Sequence, residues 1–335
     1  MKFVFADFET YYDKTYTLKK MTPAEYILDQ RFEAIMLNVI EDMEPPRIID
    51  GPDIPAYLAT LDPLDTATVT FNALFDNAIL AWRYNFVPAQ MFDCMNMVRA
   101  LHGYELRRFS LEAVAQHFGL PPKLKTIDKV IGLHRDKIKE RGLWDEMCQY
   151  CEDDNKKCAT IFWKLIPEFP ITEWKVMDLV IRATVEPKFQ ADDDLLQQHY
   201  DHIIVEKQRL LDEAQAEKKE LMSAAKFTLR LQELGVMVEY KTSSTGRLIP
   251  AFAKTDKFMT DLLEHDDPRV QVLAMARLGH KSTIMETRVK RYLDISRLPW
   301  PNYCRGNIPM PLRYGAAHTH RLGGDWKMNP QNLPK

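Results

Sequence analysis

The sequence is most informative at first through what is scarce in it. Glycine appears only twelve times in 335 residues, and no tract is biased toward one residue type, which excludes a fibrous or low-complexity chain. No apolar run approaches the roughly 20 residues of a membrane-spanning helix. The first ten residues, MKFVFADFET, reach an acid too early for a secretory signal. A cytoplasmic setting is expected, with no membrane partner. Cysteine is sparse and uneven. Five residues, three of them crowded at Cys148, Cys151 and Cys158, do not make a disulfide framework. The Cys148/Cys151 pair has no second ligand pair at zinc spacing nearby, so it reads as small residues on a helix. No internal repeat is found.

Charge is nearly balanced overall, at −3, but not along the chain. Residues 241–335 hold 16 Lys and Arg against 8 Asp and Glu, a net of +8, which leaves −11 for residues 1–240. A basic C-terminal part suited to an anion and an acidic N-terminal part suited to cations follow from that asymmetry. A length of 335 residues suggests more than one domain.

KFVFADFE reads as a buried strand and AIMLNVIED as its neighbour, followed by Pro-rich spacers (EPPRIIDGPDIP). ATVTFNALFDNAILAWRYN begins as a strand and turns helical near Asp76. SLEAVAQHFGL is a helix with Ser110 as N-cap and Gly119 at its end. A long amphipathic helix, LWDEMCQYCEDDNKKCATIFWKLIPEF, stops at Pro167 and Pro170. From Thr172 to about Leu234 helix dominates, as a coiled-coil arm or as part of a helical second domain. A further helix is expected over Asp267–Leu293, then an irregular tail from Pro299. The expected organisation is an α/β domain over 1–168, a helical domain over 169–298 and an irregular segment over 299–335.

Asp7 and Glu9 stand two apart on the first strand, so both carboxylates face one side. Acids on so apolar a strand are costly to bury without a cation. Asp76 lies where a strand gives way to a helix. Tyr150 and Asp154 are four apart and share a helix face. Four converging carboxylates suit two hard divalent ions, which prefer oxygen ligands and can promote phosphodiester hydrolysis. A hydroxyl such as that of Tyr150 can orient the attacking water.

These pieces, D-x-E at Asp7/Glu9, N-x-x-F-D at Asn72/Asp76 and Y-x-x-x-D at Tyr150/Asp154, resemble the three exonuclease motifs of the DEDD superfamily in its tyrosine branch. The resemblance implies a ribonuclease-H-like α/β fold, a two-metal site of Mg2+ or Mn2+ on Asp7, Glu9, Asp76 and Asp154, and 3′→5′ hydrolysis that releases nucleoside monophosphates. The segment AFAKTDKFMTDLLEHDDPRVQVLAMARLGHKSTIMETRVKRYLDI, with PLRYGAAHTHRLGGDWKMNPQNLPK after it, is similar to family A DNA polymerases of the bacteriophage type. There the helical part is a thumb that grips duplex DNA, and the closing segment is the edge of the palm. The resemblance makes Asn72, Lys281, Ser282, Arg288, Arg321, Asn329, Gln331 and Asn332 candidate DNA contacts, with a single-stranded 3′ end and a primer-template duplex as partners. Lys and Arg there would neutralise phosphates.

Two departures stand out. Thr319-His320-Arg321 replaces the family's T-G-R, so a histidine occupies a glycine position. The sequence also reaches Lys335 before the palm carboxylates and the fingers helix. Polymerisation by this chain alone is therefore not expected. A naturally split polymerase, with palm and fingers on a partner chain, or a shortened piece would account for it. Either one predicts an exposed apolar surface over Tyr314–Leu333. A proofreading exonuclease is the leading reading. A non-catalytic DNA-binding subunit of a split polymerase and a nuclease of RNA ends stand as alternatives.

Overall fold

The structure is a computed structural model that describes residues 1–124, 127–317 and 319–333. In chain order its elements are β1 (Lys2–Thr10), α1 (Pro23–Ile27), β2 (Ala34–Glu41), β3 (Arg47–Asp50), α2 (Ile54–Leu58), β4 (Thr66–Thr70), α3 (Ala73–Tyr84), β5 (Gln90–Asp93), α4 (Cys94–His102), α5 (Leu111–His117), α6 (Arg135–Glu140), α7 (Trp144–Leu165) and α8 (Ile171–Val185). Then come α9 (Asp193–Glu213), α10 (Lys218–Met222), α11 (Ala224–Glu233), β6 (Tyr240–Thr242), β7 (Leu248–Pro250), α12 (Lys257–Leu263), α13 (Pro268–Lys281), α14 (Ile284–Ser296), β8 (Leu312–Arg313) and β9 (Gly323–Gly324). The chain divides into two units, one of residues 1–191 with 294–335, the other of residues 192–293.

The first unit is built on a five-stranded sheet in the order β3-β2-β1-β4-β5. β1 runs antiparallel to β2 and parallel to β4, and β4 runs parallel to β5. β1 sits at the centre because its aromatic and β-branched side chains are buried on both sheet faces, as a central strand requires. Phe3 and Phe5 meet Phe162 and Trp163 of α7 at ring separations of 5.4–5.8 Å. A polar clamp fixes α7 to the same strand pair. The buried Asn155 amide donates to the Phe5 and Asn38 carbonyls at 3.2 Å and to Asn38 Oδ1 at 2.7 Å. The Pro-rich stretch expected to be a spacer holds β3, which lies at the sheet edge, where the preceding Pro45 and Pro46 interrupt no ladder.

The first unit extends past residue 168, where the domain boundary was expected. α8 stays with the sheet because Asp178 accepts the Met91 backbone N–H at 2.8 Å, and Val185 accepts from the Trp82 indole at 2.8 Å. The prolines after α7 therefore end a helix but not a domain. The tail also belongs to this unit. Thr184 donates to the Met310 carbonyl at 2.9 Å, Arg99 donates to the Tyr314 carbonyl at 3.0 Å, and the Tyr314 hydroxyl donates to Glu173. The apolar surface expected over Tyr314–Leu333 is mostly covered. Tyr314, Trp326 and Met328 are buried, and among the described residues of this stretch Leu333 is the large apolar side chain left half exposed.

The second unit is helical, as expected, with one hairpin, β6–β7. Phe227, Leu231, Phe252, Met259, Leu262, Val270 and Leu273 form its core, and Leu210 of α9 joins them, so the long charged helix belongs to this unit instead of forming a separate coiled-coil arm. The Arg277 guanidinium is buried between the rings of Phe227 and Phe252, at 4.4 and 4.8 Å, and donates to the Leu221 carbonyl. The helix expected over Asp267–Leu293 is two helices. Ser282 takes an extended conformation at the break, and its carbonyl accepts the Lys207 ammonium at 3.0 Å.

His320 adopts φ = 55°, the left-handed conformation that glycine reaches without strain. An L residue there costs about 1–2 kcal/mol, part of which a glycine would return through its larger unfolded-state entropy. His320→Gly is expected to stabilise the protein by about 0.5–1 kcal/mol. A scanning-calorimetry melting temperature that falls would show that the imidazole contributes more than the strain costs.

Candidate active site

β1 carries Asp7 and Glu9 along one face, and Asp7 pairs with Asn38 of β2. A register shift between Glu9 and Thr10 ends the regular ladder beside the two acids. Asp76 lies in the first turn of α3, not at the junction itself, and reaches back across the sheet. Its Oδ1 accepts the Phe8 backbone N–H at 3.2 Å, between Asp7 and Glu9. Asn72 starts this helix in the left-handed conformation, φ = 72°, which asparagine tolerates, and is exposed beside the site; its own N–H is held by Asp93 at 3.1 Å. α7 presents Tyr150, Cys151 and Asp154 on its buried face. Asn155, the clamp residue, is Asp154's neighbour, so the hydrogen bonds that anchor α7 also set the position of its carboxylate.

The acids of this cluster shift one another's proton affinity. Burial, then Asp154, pushes Asp7 up to about 7. Burial, then Asp7 and Asp154, holds Glu9 well above the usual carboxylate range. Burial and Asp7 do the same to Asp76. Asp154 is raised by burial, against the opposing pull of the Lys123 ammonium. Lys123 Nζ stands 2.5 Å from Asp154 Oδ2 and 4.8 Å from the centre of the Tyr150 ring. Tyr150 stays a phenol, kept protonated by burial, Asp154 and Glu9.

Such a cluster fits divalent cations on its own chemistry. Asp154 Oδ1 is buried without a hydrogen-bond partner, an oxygen with a lone pair still to satisfy. Oxygen atoms of Asp7 and Glu9 lie within 4.8 Å of each other and of Cys151 Sγ. Cys151 is the poorer ligand of the three. Burial and the carboxylates of Asp7 and Glu9 keep it a thiol, and it touches Asp7 Oδ2 at 3.5 Å. The C-x-x-C therefore gives Cys151 to the wall of the acidic site.

The remaining predicted contacts fall on both units. Lys281 and Ser282 are exposed at the end of α13, and Arg288 is half-buried on α14. In the first unit, Arg321, Gln331 and Asn332 are exposed, and Arg321 bonds Thr319 at 3.2 Å. Asn329 turns its Oδ1 inward, against Gly324. Lys123 was not singled out from the sequence. It lies in a P-P-K-L-K loop with no periodicity, and only folding brings it to Asp154.

No protein-family model matches the chain, and no curated protein matches it. Among solved structures, the chain is similar to the POL domain of Pol1 from M. smegmatis, determined in complex with DNA primer-template and dNTP. The TM-score is 0.59 with 18% sequence identity, over 91% of this chain and 50% of that one. The likeness is one of fold. The chain spans about half the length of that structure. No helix among the described residues is long and apolar enough to cross a membrane.

The native state keeps a proton on Asp7 that the unfolded chain has released, between the ordinary 3.8 and about 7. Without metal, stability from this group therefore falls as pH rises through that window. Asp7→Asn is expected to remove this part of the slope, and Mn2+ to raise the melting temperature of the wild type more than that of the variant. Equal slopes in chelator-treated wild type and variant would contradict the reading.

Proposed function

We propose that the chain is a metal-dependent 3′→5′ exonuclease acting on the end of a DNA strand, in a ribonuclease-H-like unit joined to a helical DNA-gripping unit. The observation that carries the reading is geometric: carboxylate oxygens of Asp7 and Glu9 lie within 4.8 Å of each other and of Cys151 on α7, Asp76 accepts the Phe8 N–H between them, and Asp154, one turn along α7 from Tyr150, keeps a buried Oδ1 unpartnered. The mixed five-stranded sheet with β1 at its centre supports it, as do the motifs and the polymerase-related fold.

Asp7, Glu9, Asp76 and Asp154 would hold Mg2+ or Mn2+, which supplies a more acidic water and polarises the phosphate. The residues of the chain do the rest. The Tyr150 phenol, protonated and beside Asp154, orients the attacking water through a hydrogen bond. Lys123 Nζ, already at Asp154, adds positive charge where the phosphate gains negative charge. Water attacks phosphorus, the bond to the 3′-oxygen of the penultimate nucleotide breaks, and that oxygen takes up a proton. A nucleoside monophosphate leaves.

A 5′-labelled single-stranded DNA incubated with Mg2+ is expected to shorten stepwise from its 3′ end. Asp7→Ala with Glu9→Ala should slow this by about 100-fold or more. No shortening by the wild type leaves a DNA-binding protein without this activity. Shortening that survives the double substitution places the chemistry elsewhere. RNA of the same sequence should be the poorer substrate.

The basic balance of residues 241–335 supports duplex binding through phosphates. Gel-shift affinity is expected to fall steeply between low and moderate salt, and Lys281→Ala with Arg288→Ala should make that fall shallower. An unchanged salt slope would remove these residues from the interface.

A further inference from the structure

The ends of α4 and α5 bring together a second group of ligand-type side chains, which the proposed chemistry does not use. His102 closes α4, Glu105 follows in the turn, and His117 closes α5. Glu105 Oε2 is 3.3 Å from His102 Nδ1 and 3.1 Å from His117 Nε2. The three ligand atoms all lie within 4.8 Å of one another. Phe118 stands edge-on to both imidazoles, at ring separations of 5.2 and 5.0 Å, and fixes one side of the group.

The spacing is close to that of a coordination sphere. Ligands at about 2.0–2.2 Å from a tetrahedral zinc ion stand about 3.3–3.5 Å apart. Both Glu105–His separations are near this value. The His–His separation, at most 4.8 Å, needs a closure of about 1.5 Å at most, within the reach of partly exposed side-chain torsions. Two imidazoles and one carboxylate select a borderline ion such as Zn2+, whereas the all-oxygen cluster of Asp7, Glu9, Asp76 and Asp154 selects a hard one.

We propose that His102, Glu105 and His117 form a transition-metal site of the Zn2+ class that staples the end of α4 to the end of α5. Three protein ligands leave a fourth position for water. The ion ties down the stretch that leads into the loop carrying Lys123. This inference does not depend on the exonuclease reading.

The test uses the full chain, stripped with chelator and then held in saturating Mg2+. Calorimetric titration with Zn2+ is expected to show tight binding that persists in the Asp7→Ala, Glu9→Ala variant. His117→Ala should weaken it by about 100-fold or more. Co2+ in place of Zn2+ should give the intense visible bands of tetrahedral coordination, lost in His117→Ala and altered in Glu105→Gln. Zn2+ should also raise the melting temperature of the wild type but not of His117→Ala. Should His117→Ala fail to fold, His102→Gln gives the same comparison. Zn2+ binding that disappears with Asp7 and Glu9, or that is unaffected by loss of either histidine, overturns the proposal and leaves Glu105 as a hydrogen-bond acceptor between two imidazoles.

Discussion

Four carboxyls crowded into a partly buried site are the constraint on which this molecule turns. Two unit charges 4 Å apart repel by about 4 kcal/mol at the effective dielectric of a protein site. Desolvation first, and then the neighbouring carboxylates, hold the carboxyls of Asp7, Glu9 and Asp76 above their ordinary range. Hydrophobic packing of β1 and α7 supplies the opposing energy. Phe3 and Phe5 pack their rings against Phe162 and Trp163 further along the same face of β1 that carries the acids. The Asn155 clamp then denies the helix any rotation that would relieve the repulsion. In the proposed reading, a bound cation would offset a cost already present in the fold.

The same logic explains the side chains that surround the acids. Lys123 offsets part of the negative charge. Cys151 can lie against Asp7 because a protonated thiol adds no charge of its own. Asp76 gains a backbone donor from Phe8. Each neighbour lowers the cost of the cluster without filling it, and Asp154 Oδ1 is left unpartnered.

Much of this was legible along the chain. Period-two alternation placed Asp7 and Glu9 on one face of a strand, and period 3.6 placed Tyr150 and Asp154 on one face of a helix. Ser110 as an N-cap, Gly119 in the left-handed conformation and the end of α7 before Pro167 followed from local chemistry. Local signals misled where tertiary contacts overrode them. Prolines at 167 and 170 suggested a domain boundary, yet Asp178 and Val185 bind α8 to the sheet. The tail was expected to expose apolar side chains, yet Tyr314, Trp326 and Met328 are buried.

The sequence by itself determined the carboxylates, their periodicities and the separation of acidic from basic parts, because these depend on neighbours a few residues away. Tertiary structure alone decided that Lys123 answers Asp154, that Cys151 belongs to the wall of the acidic site, and that His102, Glu105 and His117 converge. Such partners lie on separate elements joined by loops without periodicity. Their meeting is set by how helices close over a sheet, which no local pattern encodes.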